Sequence, residues 1–317
     1  MPVVDLIAES DRELVADLLG EGHAAEKLAS GMHIGTSVPA TEETLNWLAA
    51  TCPDGAFGLY DEGRLKGICY AHVQGREGWL GPFSVFENEQ GKGYGAMLLQ
   101  KAIAHVLNKS VTTVGMEGPA SPQILGFLGK VGFSPSAVVA TLEVPVSSLP
   151  EQMDFWVDAY SAKSEEERKE LNHQLTAFVE QATRGADYRH LIEATQYTNA
   201  GETLIFYEEK EIVAMAIAHK GPYYMNEHDD SIHIHSLVCH VKKNVGRLDQ
   251  LITAIGAYAR VQEKKYLRIR ILSEDDTNYQ YLLSRGFRVV ETRQQFTLEG
   301  CPWQRAAGYV VFANWQF

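Results

Sequence analysis

The sequence carries the same pattern of strands and helices twice, and this repeat constrains its fold more than any other feature. Each copy begins with a strand, a polar turn and a second strand, which is typical of a β-hairpin. The two hairpins span Ala56–Tyr60 with Gly67–Val73, and Thr203–Tyr207 with Ile212–Ile217. A third strand, a glycine and an amphipathic helix then follow in both copies.

The two amphipathic helices have apolar residues at spacings of three and four, as expected for helices packed on a sheet. The residues predicted to be buried are Leu99, Ala102, Ile103, Val106 and Leu107 in the first copy, and Leu248, Leu251, Ile252 and Ile255 in the second. Each copy then has a short helix leading into Gly-Phe, at Gly132-Phe133 and Gly286-Phe287, and a last strand. The repeat predicts two domains, residues 1–147 and 148–317, joined near Pro145–Pro150.

Composition places the chain among globular proteins without a membrane-spanning segment. Of its 317 residues, 45% are hydrophobic and 22% are charged, and no run approaches the roughly 18 apolar residues that cross a bilayer. The first ten residues have acids where a signal peptide has cations, and four widely separated cysteines suit a reducing compartment. We therefore expect a cytoplasmic protein. Its net charge of −13 argues against nucleic acid and membrane surfaces as partners and is compatible with a cationic, amine-bearing substrate.

A glycine-rich turn in the first copy is the strongest functional signal. A strand ends near Phe86, the turn contains Gly91, Gly93 and Gly95, and a helix begins at once. Glycines let the backbone curl so that its N–H groups point outward at a helix N-terminus, which attracts anions. A pyrophosphate is the expected ligand, with Lys92 lying over it.

Two other interpretations of this turn stay open. It can be a glycine-rich turn without a ligand, since such motifs also occur by chance. Alternatively, Gly91, Gly93 and Ala96 fit G-x-G-x-x-[G/A], and Glu117 follows at the spacing of a dinucleotide-binding fingerprint. A hairpin and a third strand precede the turn here, whereas a dinucleotide-binding unit opens its sheet with it. This order argues against a dinucleotide-dependent oxidoreductase.

With these residues in view, the first copy resembles the GNAT superfamily of N-acetyltransferases. The family loop is [Q/R]-x-x-G-x-[G/A], and Gln90–Gly95 reads Gln-Gly-Lys-Gly-Tyr-Gly. Downstream, Ser121 stands where the family has asparagine and Leu128 where it has tyrosine, while Gly132-Phe133 agrees. The resemblance implies an α/β (α+β) fold of two tandem GNAT-type domains, each a splayed, mixed, mostly antiparallel sheet flanked by helices. Pro82 fits the kinked strand that opens this sheet around the cofactor.

The second copy keeps the family's helix pattern but lacks its loop. The matching stretch runs from Leu237 to Arg247, and Gly246 is the one loop glycine left in it. A turn this short provides no nest of N–H groups for a pyrophosphate. The resemblance therefore implies an acetyl-CoA site in the first copy and a degenerate second domain that has lost it.

The resemblance further implies transfer of an acetyl group from acetyl-CoA to a primary amine of a small molecule. In this family a backbone N–H of the kinked strand stabilises the negative oxygen, and Val85 stands at that position. The residues expected to bind the cofactor are Phe83, Val85, Gln90, Gly91, Lys92, Gly93, Tyr94, Gly95, Ala96, Ser121 and Phe127. Leu128 removes the usual proton donor to the departing thiolate. A non-catalytic acyl-CoA-binding or interaction protein is therefore the alternative function.

Several groups are candidates for proton transfer during the reaction. An alkyl ammonium of pKa ~10 must lose a proton before it attacks, which requires a general base or a water chain. The candidates are Glu77, Glu117 and His72, with Tyr70 and Glu87 as further ones. Glu77 comes just before the kinked strand, near where relatives carry a base. The alternative interpretation makes Glu77 and Glu87 solvated loop acids and His72 a half-exposed strand residue.

A histidine-rich stretch of the second copy raises the question of a metal site. His233 and His235 share one face of a strand, and His228, His240 and Cys239 lie nearby in sequence. Zinc would need a third and a fourth ligand in register. We favour polar residues on the open face of a splayed strand, without a metal.

The C-terminal run Gly308–Phe317 is rich in strand-forming residues. The first copy supplies one strand after its Gly-Phe, where the fold normally has two, so an edge of its sheet would stay open. The terminal run can either finish its own domain or cross over to this open edge, and of the two we expect the crossover to the first copy. The sequence leaves the oligomeric state and the acceptor amine open.

Overall fold

The computed structural model describes residues 1–29, 31, 37–151, 156–220, 230–241, 246–303, 306–307 and 309–313, with Phe312 and Ala313 described by backbone alone. The first half contains, in order, β1 (Val3–Leu6), α1 (Arg12–Ala29), α2 (Glu42–Thr51), β2 (Ala56–Asp61), β3 (Arg64–Gln74), β4 (Glu77–Val85), α3 (Tyr94–Asn108), β5 (Thr113–Gly118), α4 (Pro122–Lys130) and β6 (Phe133–Pro145). The second half repeats this order with β7 (Val157–Ala159), α5 (Glu165–Ala182), α6 (Arg189–Tyr197), β8 (Gly201–Glu208), β9 (Glu211–His219), β10 (Ser231–His240), α7 (Arg247–Val261), β11 (Tyr266–Leu272), α8 (Asp276–Ser284) and β12 (Arg288–Leu298), and adds β13 (Tyr309–Ala313).

Both predicted hairpins form. β2 turns into β3 through Glu62 and Gly63, with φ angles of 51° and 72°. β8 turns into β9 through Glu209 and Lys210, with φ angles of 51° and 75°. Positive φ at both central residues gives a two-residue turn the twist that its flanking strands need. The hairpin-first order is therefore a property of both halves.

The described strands join one sheet in the order β1-β2-β3-β4-β5-β12-β6-β11-β10-β9-β8-β7, with β13 paired to β10 off this path. The β4–β5 and β10–β11 pairs are parallel. The remaining pairs are antiparallel. This mixed, mostly antiparallel sheet, flanked by helices, confirms the predicted fold class.

Each half of the chain contributes its last long strand to the sheet of the other half. β12 lies between β5 and β6, and its residues Gln294–Thr297 pair with Gly115–Gly118 of β5. β6 in turn pairs with β11 through Val139–Pro145. We call this arrangement the strand exchange. Because of it, the centre of the sheet contains strands from both sequence halves in alternation.

The predicted crossover of the C-terminal run is wrong. β13 pairs with β10 of its own half, with Tyr309 opposite His240 and Ala313 opposite Ser236. The edge of β5 that needed a partner is taken by β12 instead, so a crossover does occur, but with a different strand. Gly308 and residues 314–317 of the terminal run lie outside the described residues.

Deleting residues 309–317 is expected to lower the free energy of unfolding by about 2 kcal/mol. The deletion removes the β10–β13 ladder and two buried side chains, Val310 and Val311, which are 1% and 2% exposed. A buried valine contributes about 1.5 kcal/mol or more, and the entropy of ordering the strand offsets part of this gain. Thermal unfolding checks the stability. An unchanged melting temperature together with lost acetyl-CoA affinity would contradict the observed pairing.

Helices cover both faces of the sheet. α3 buries Leu99, Ala102 and Val106 as predicted, with Ile103 partly buried, whereas Leu107 is 42% exposed because it lies outside the buried stripe in the last turn. α7 buries all of its predicted residues, which are Leu248, Leu251, Ile252 and Ile255. On the opposite face, α1, α2, α5 and α6 share one apolar core that spans both halves. None of the described helices combines the length and the apolar composition that crossing a membrane requires.

Candidate active site

Two parallel strands of the first half separate and leave a gap between them. β4 pairs with β5 only where Glu77–Trp79 lie beside Thr113–Gly115. Beyond Trp79, β4 continues to pair with β3. The register between these two strands shifts at Gly81 and Pro82 of β4. This shift confirms the predicted kink at Pro82. We call the opening between the diverging strands the β4–β5 gap.

The glycine loop Gln90–Gly95 connects β4 to α3 beside this gap. Gly91 and Gly93 have φ angles of 79° and 85°, and a Cβ added at either would meet no atom within 4 Å. Gly93 is the N-cap of α3, so the loop backbone lies at the positive end of a helix. The Gln90 amide donates to the Val85 carbonyl at 3.2 Å and ties the loop to β4. The loop therefore has the geometry of an anion site.

Gly95 is enclosed by two aromatic rings. The rings of Phe83 and Phe127 are stacked, with centroids 6.0 Å apart and planes 9° apart. A Cβ added at Gly95 would lie 3.1 Å from the Cζ atom of each ring. These rings connect β4, α3 and α4 at the edge of the gap. Glycine at position 95 therefore leaves room for the two rings to pack, in addition to allowing the helix to begin close to the loop.

Replacing Gly95 with valine is expected to weaken acetyl-CoA binding about tenfold or more, because the isopropyl group must displace Phe83 and Phe127. Replacing Tyr94 with phenylalanine should change it less than about threefold. The Tyr94 hydroxyl donates to Asp61 at 2.7 Å, away from the loop, and its loss removes one hydrogen bond. Calorimetric titration of both variants measures the difference. Equal losses would show that Gly95 is not part of the cofactor site.

Other residues of the predicted cofactor set have partners within the protein. Lys92 donates to Glu89 at 2.6 Å, and Lys66 donates to the other carboxylate oxygen at 2.6 Å. These hydrogen bonds lower the pKa of Glu89. Ser121 is the N-cap of α4 and accepts from the Ile124 N–H at 3.2 Å. Ala96 is partly buried in the first turn of α3.

Glu77 is a buried strand residue, so its interpretation as a solvated loop acid is wrong. It is 1% exposed at the start of β4 and accepts a hydrogen bond of 2.7 Å from the Trp303 indole N–H. Burial raises the pKa of Glu77 to about 8. Trp79, on the same face of β4 and fully buried, separates it from the open part of the gap.

His72 is also buried, at 1% exposure, rather than half-exposed. Its Nε2 atom donates to the Gly81 carbonyl at 2.8 Å, at the kink of β4. Burial lowers the pKa of His72 to about 3, so it is a poor base at neutral pH. Burial raises the pKa of Tyr70, which keeps its hydroxyl protonated. Glu87 is exposed, as the solvated-acid interpretation predicted.

Glu117 lies on β5 just beyond the last β4–β5 pair, and its polar groups already have partners within the protein. Its carboxylate pairs with Arg270 of β11, and its backbone oxygen accepts from Arg293 of β12 at 3.5 Å. The dinucleotide interpretation is wrong for this fold, because the glycine turn follows an antiparallel arrangement of β2, β3 and β4. A doubly wound dinucleotide-binding sheet is built of parallel strands.

Leu128, at the position where the resemblance places a tyrosine, is 2% exposed and packs in the core beneath α3. Its side chain has no proton to give. A departing thiolate in the gap would therefore need another proton source, and this position is the clearest departure of the first half from the expected chemistry.

A comparison with known families agrees with this geometry. Residues 24–133, about a third of the chain, match the acetyltransferase (GNAT) family. This part of the chain is therefore similar to a GNAT acetyltransferase domain. No curated protein matches the chain at a significant level.

Solved structures extend the GNAT fold over the whole chain. A GCN5-related N-acetyltransferase from Sphaerobacter thermophilus superposes with a TM-score of 0.61 at 15% identity, over 95% of this chain and 96% of that one. A tandem GNAT protein from the clavulanic acid biosynthesis pathway gives 0.59 at 13% identity, over 95% and 99%. A protein of Pyrococcus horikoshii gives 0.67 at 13% identity, over 99% and 95%. The chain therefore has the tandem GNAT fold.

The second GNAT-type half has its own gap, and β13 fills it. β10 pairs with β11 only through Ser231–His233. Where they diverge, β13 pairs with Ser236–His240 of β10. Gly246, before α7, has an ordinary right-handed backbone with φ −75°. The turn residues 242–245 lie outside the described residues, but the filled gap alone distinguishes this half from the first.

The histidine-rich stretch does not form a metal centre within the described part of the chain, which contains no cluster of three or more potential ligands. His235 is buried, not on an open face, and its ring stacks on His219 at 4.9 Å. His240 stacks on Tyr309 of β13 at 4.8 Å. His228 lies outside the described residues.

Sequence reasoning missed the residues of the second half that lie beside Glu117 of β5. Arg270, Arg293 and Gln295 lie on β11 and β12 and contact or face Glu117 of β5. No local motif marks them, because they reach the first half through the strand exchange. An alternation of polar residues at Glu291, Arg293 and Gln295 was the available signal.

Proposed function

We propose that this protein transfers an acetyl group from acetyl-CoA to the primary amine of a small molecule. The observation that carries the proposal is the loop Gln90–Gly95, with two left-handed glycines and open space at the N-terminus of α3. Anionic phosphates suit this position. The adjoining β4–β5 gap would take the arm that carries the thioester, and the net charge of −13 favours a cationic acceptor.

The proposed chemistry forms a C–N bond and breaks a C–S bond, giving an N-acetyl amine and free CoA. The Val85 N–H at the end of β4 would stabilise the carbonyl oxygen as it gains negative charge. The attacking amine must first lose a proton. Among the candidates, His72 is too weakly basic, because burial lowers its pKa to about 3. Glu77 has a pKa of about 8 but lies behind buried Trp79, so we propose that it takes the proton through a water chain. Since Leu128 cannot protonate the thiolate, water is the proton source that we propose.

The second candidate function is a non-catalytic acyl-CoA-binding protein. Buried Leu128 favours it, because the position lacks a proton donor. Both candidates predict one acetyl-CoA site per chain, since β13 fills the second gap. Calorimetric titration with acetyl-CoA gives the stoichiometry. A thiol-release assay over a panel of small amines then separates the candidates, because only the acetyltransferase releases CoA faster with an acceptor present.

We also propose that the protein works in the cytoplasm. Its four cysteines are free thiols, and three of them are buried. Burial raises the pKa of Cys52 and Cys239 to about 12, which keeps both thiols protonated and unreactive. Free thiols persist in a reducing compartment.

A further inference from the structure

Two buried hydrogen-bond donors on β12 have no partner among the described residues. These are the Nε atom of Arg293 and the Nε2 atom of Gln295, in side chains of residues that are 7% and 2% exposed. The other polar atoms of these side chains are occupied. The two terminal nitrogens of Arg293 donate to Glu26 at 2.9 and 3.1 Å, and the Gln295 oxygen accepts from Ser136 at 3.2 Å. An unmet buried donor is unfavourable and requires an explanation.

Gln295 lies at the edge of the β4–β5 gap, on the face away from α3. It pairs with Glu117, which lies two residues after Gly115, the last residue of β5 that pairs with β4. The neighbouring Phe296 packs in the core beneath α3. Successive side chains of a strand point to opposite faces, so Gln295 faces the side from which an acceptor can approach a cofactor bound beside α3.

α1 spans the gap on this same face. On the β4 side of the gap, Gly22 of α1 packs closely against β4, because a Cβ added to Gly22 would lie 2.8 Å from the Ser84 hydroxyl oxygen. One turn later, Glu26 holds Arg293 beside β5. Arg293 and Gln295 therefore lie under α1, next to the opening between the two strands.

The charges around these donors balance locally. Arg270 pairs with Glu117, and Arg293 pairs with Glu26 and lies 4.0 Å from Glu291. The carboxylates are therefore already paired, whereas the two unmet donors require an oxygen that accepts hydrogen bonds. An acceptor whose reacting amine is accompanied by a carboxylate or carbonyl oxygen supplies that oxygen.

We propose that Arg293 and Gln295 form a subsite of the acceptor pocket that binds a carboxylate or carbonyl oxygen adjacent to the reacting amine. The subsite rests on the proposed acetyltransferase function and deepens it. It gives the second half of the chain a part in binding the acceptor, because both residues belong to the exchanged strand β12. The acceptor class is then a small amino acid or amino-acid amide rather than a simple alkylamine.

The test compares three acceptors that share one carbon skeleton: an α-amino acid, its carboxamide and the decarboxylated amine. For the full-length wild type, we expect kcat/KM to be at least about tenfold higher for an oxygen-bearing acceptor than for the decarboxylated amine. A preference for the acid over the amide identifies a carboxylate ligand, and equal values identify a carbonyl oxygen. Equal kcat/KM for all three acceptors, or turnover of none of them, overturns the subsite.

Gln295→Leu should abolish this preference by raising KM for the oxygen-bearing acceptors about tenfold, with little change for the decarboxylated amine. Folding should survive, because the removed donor has no partner and the Ser136 hydroxyl, which loses the side-chain oxygen, can still donate to the Gln295 backbone oxygen at 3.2 Å. Arg293→Lys is the second variant; it keeps a cation for Glu26 but lacks the Nε donor, and the same loss is expected. Arg288→Met is the matched control, since Arg288 lies on the same strand with 67% of its side chain exposed. A control that loses the preference equally would overturn the assignment.

Acetyl-CoA binding separates the two proposals. Variants and wild type should bind acetyl-CoA equally, because Arg293 and Gln295 lie across the sheet from the glycine loop. If the wild type binds no acetyl-CoA, the proposed function itself fails. If it binds and turns over acceptors without preference, the subsite fails alone.

Discussion

Replacing Gly93 with aspartate is expected to abolish acetyl-CoA binding, with a loss of more than about a hundredfold in affinity. Gly93 has a φ of 85° and free space around it, at the N-cap of α3. Aspartate would place a carboxylate where the loop offers N–H groups to a phosphate, and two negative charges in one site repel each other. Calorimetric titration with acetyl-CoA measures the loss. Binding that survives the substitution would show that the cofactor does not use this loop.

A matched control is Gly286→Asp in the second half. Gly286 has a φ of 88° and no atom within 4 Å of an added Cβ, so this variant has the same backbone strain, space and added charge. It should keep full affinity for acetyl-CoA. Comparable losses in both variants would indicate a general effect of strain, and the assignment of the loop would be wrong.

Replacing Glu77 with glutamine is expected to stabilise the protein increasingly as the solution becomes more alkaline. Burial raises the pKa of Glu77 from 4.5 to about 8. Between these values the folded protein keeps a proton that the unfolded chain has lost, so wild-type stability falls as the pH rises, by at most about 1.4 kcal/mol per unit. Glutamine does not titrate and can still accept from Trp303. Its advantage should therefore grow from pH 5 to pH 8 by on the order of 3–4 kcal/mol.

Chemical denaturation at pH 5, 6.5 and 8 measures this advantage. Glu87→Gln is the matched control, because it also replaces one carboxylate with an amide but at an exposed position. A Glu77→Gln advantage that stays constant with pH would mean that Glu77 ionises normally. The pKa of Glu77 would then be too low for this carboxylate to accept a proton from the substrate's ammonium group.

The features that sequence reasoning predicted correctly depend on residues close together in the chain. The turn at Glu62-Gly63, the open glycines Gly91 and Gly93, and the kink at Pro82 each follow from local backbone requirements. The apolar spacing in α7 is local in the same sense. Such features can be predicted from the sequence, because residues that are neighbours in the chain are sufficient to form them.

The features that sequence reasoning missed depend on distant contacts. Glu77 looked like a loop acid because its hydrogen-bond partner, Trp303, lies 226 residues away in the chain. The C-terminal run was assigned to the wrong partner because β-propensity says nothing about which edge a strand will meet. Arg293 and Gln295 escaped notice for the same reason, since their relation to Glu117 exists only after β12 has joined β5.

The strand exchange also determines how this protein can be synthesised. A ribosome releases β5 long before β12, so the edge of β5 has no partner until nearly the whole chain has emerged. Residues 1–147 produced alone would keep this edge exposed, and exposed edges pair with other chains. Because β12 completes the sheet beside β5, and β6 completes it beside β11, we expect that neither half reaches its native sheet when it is expressed without the other.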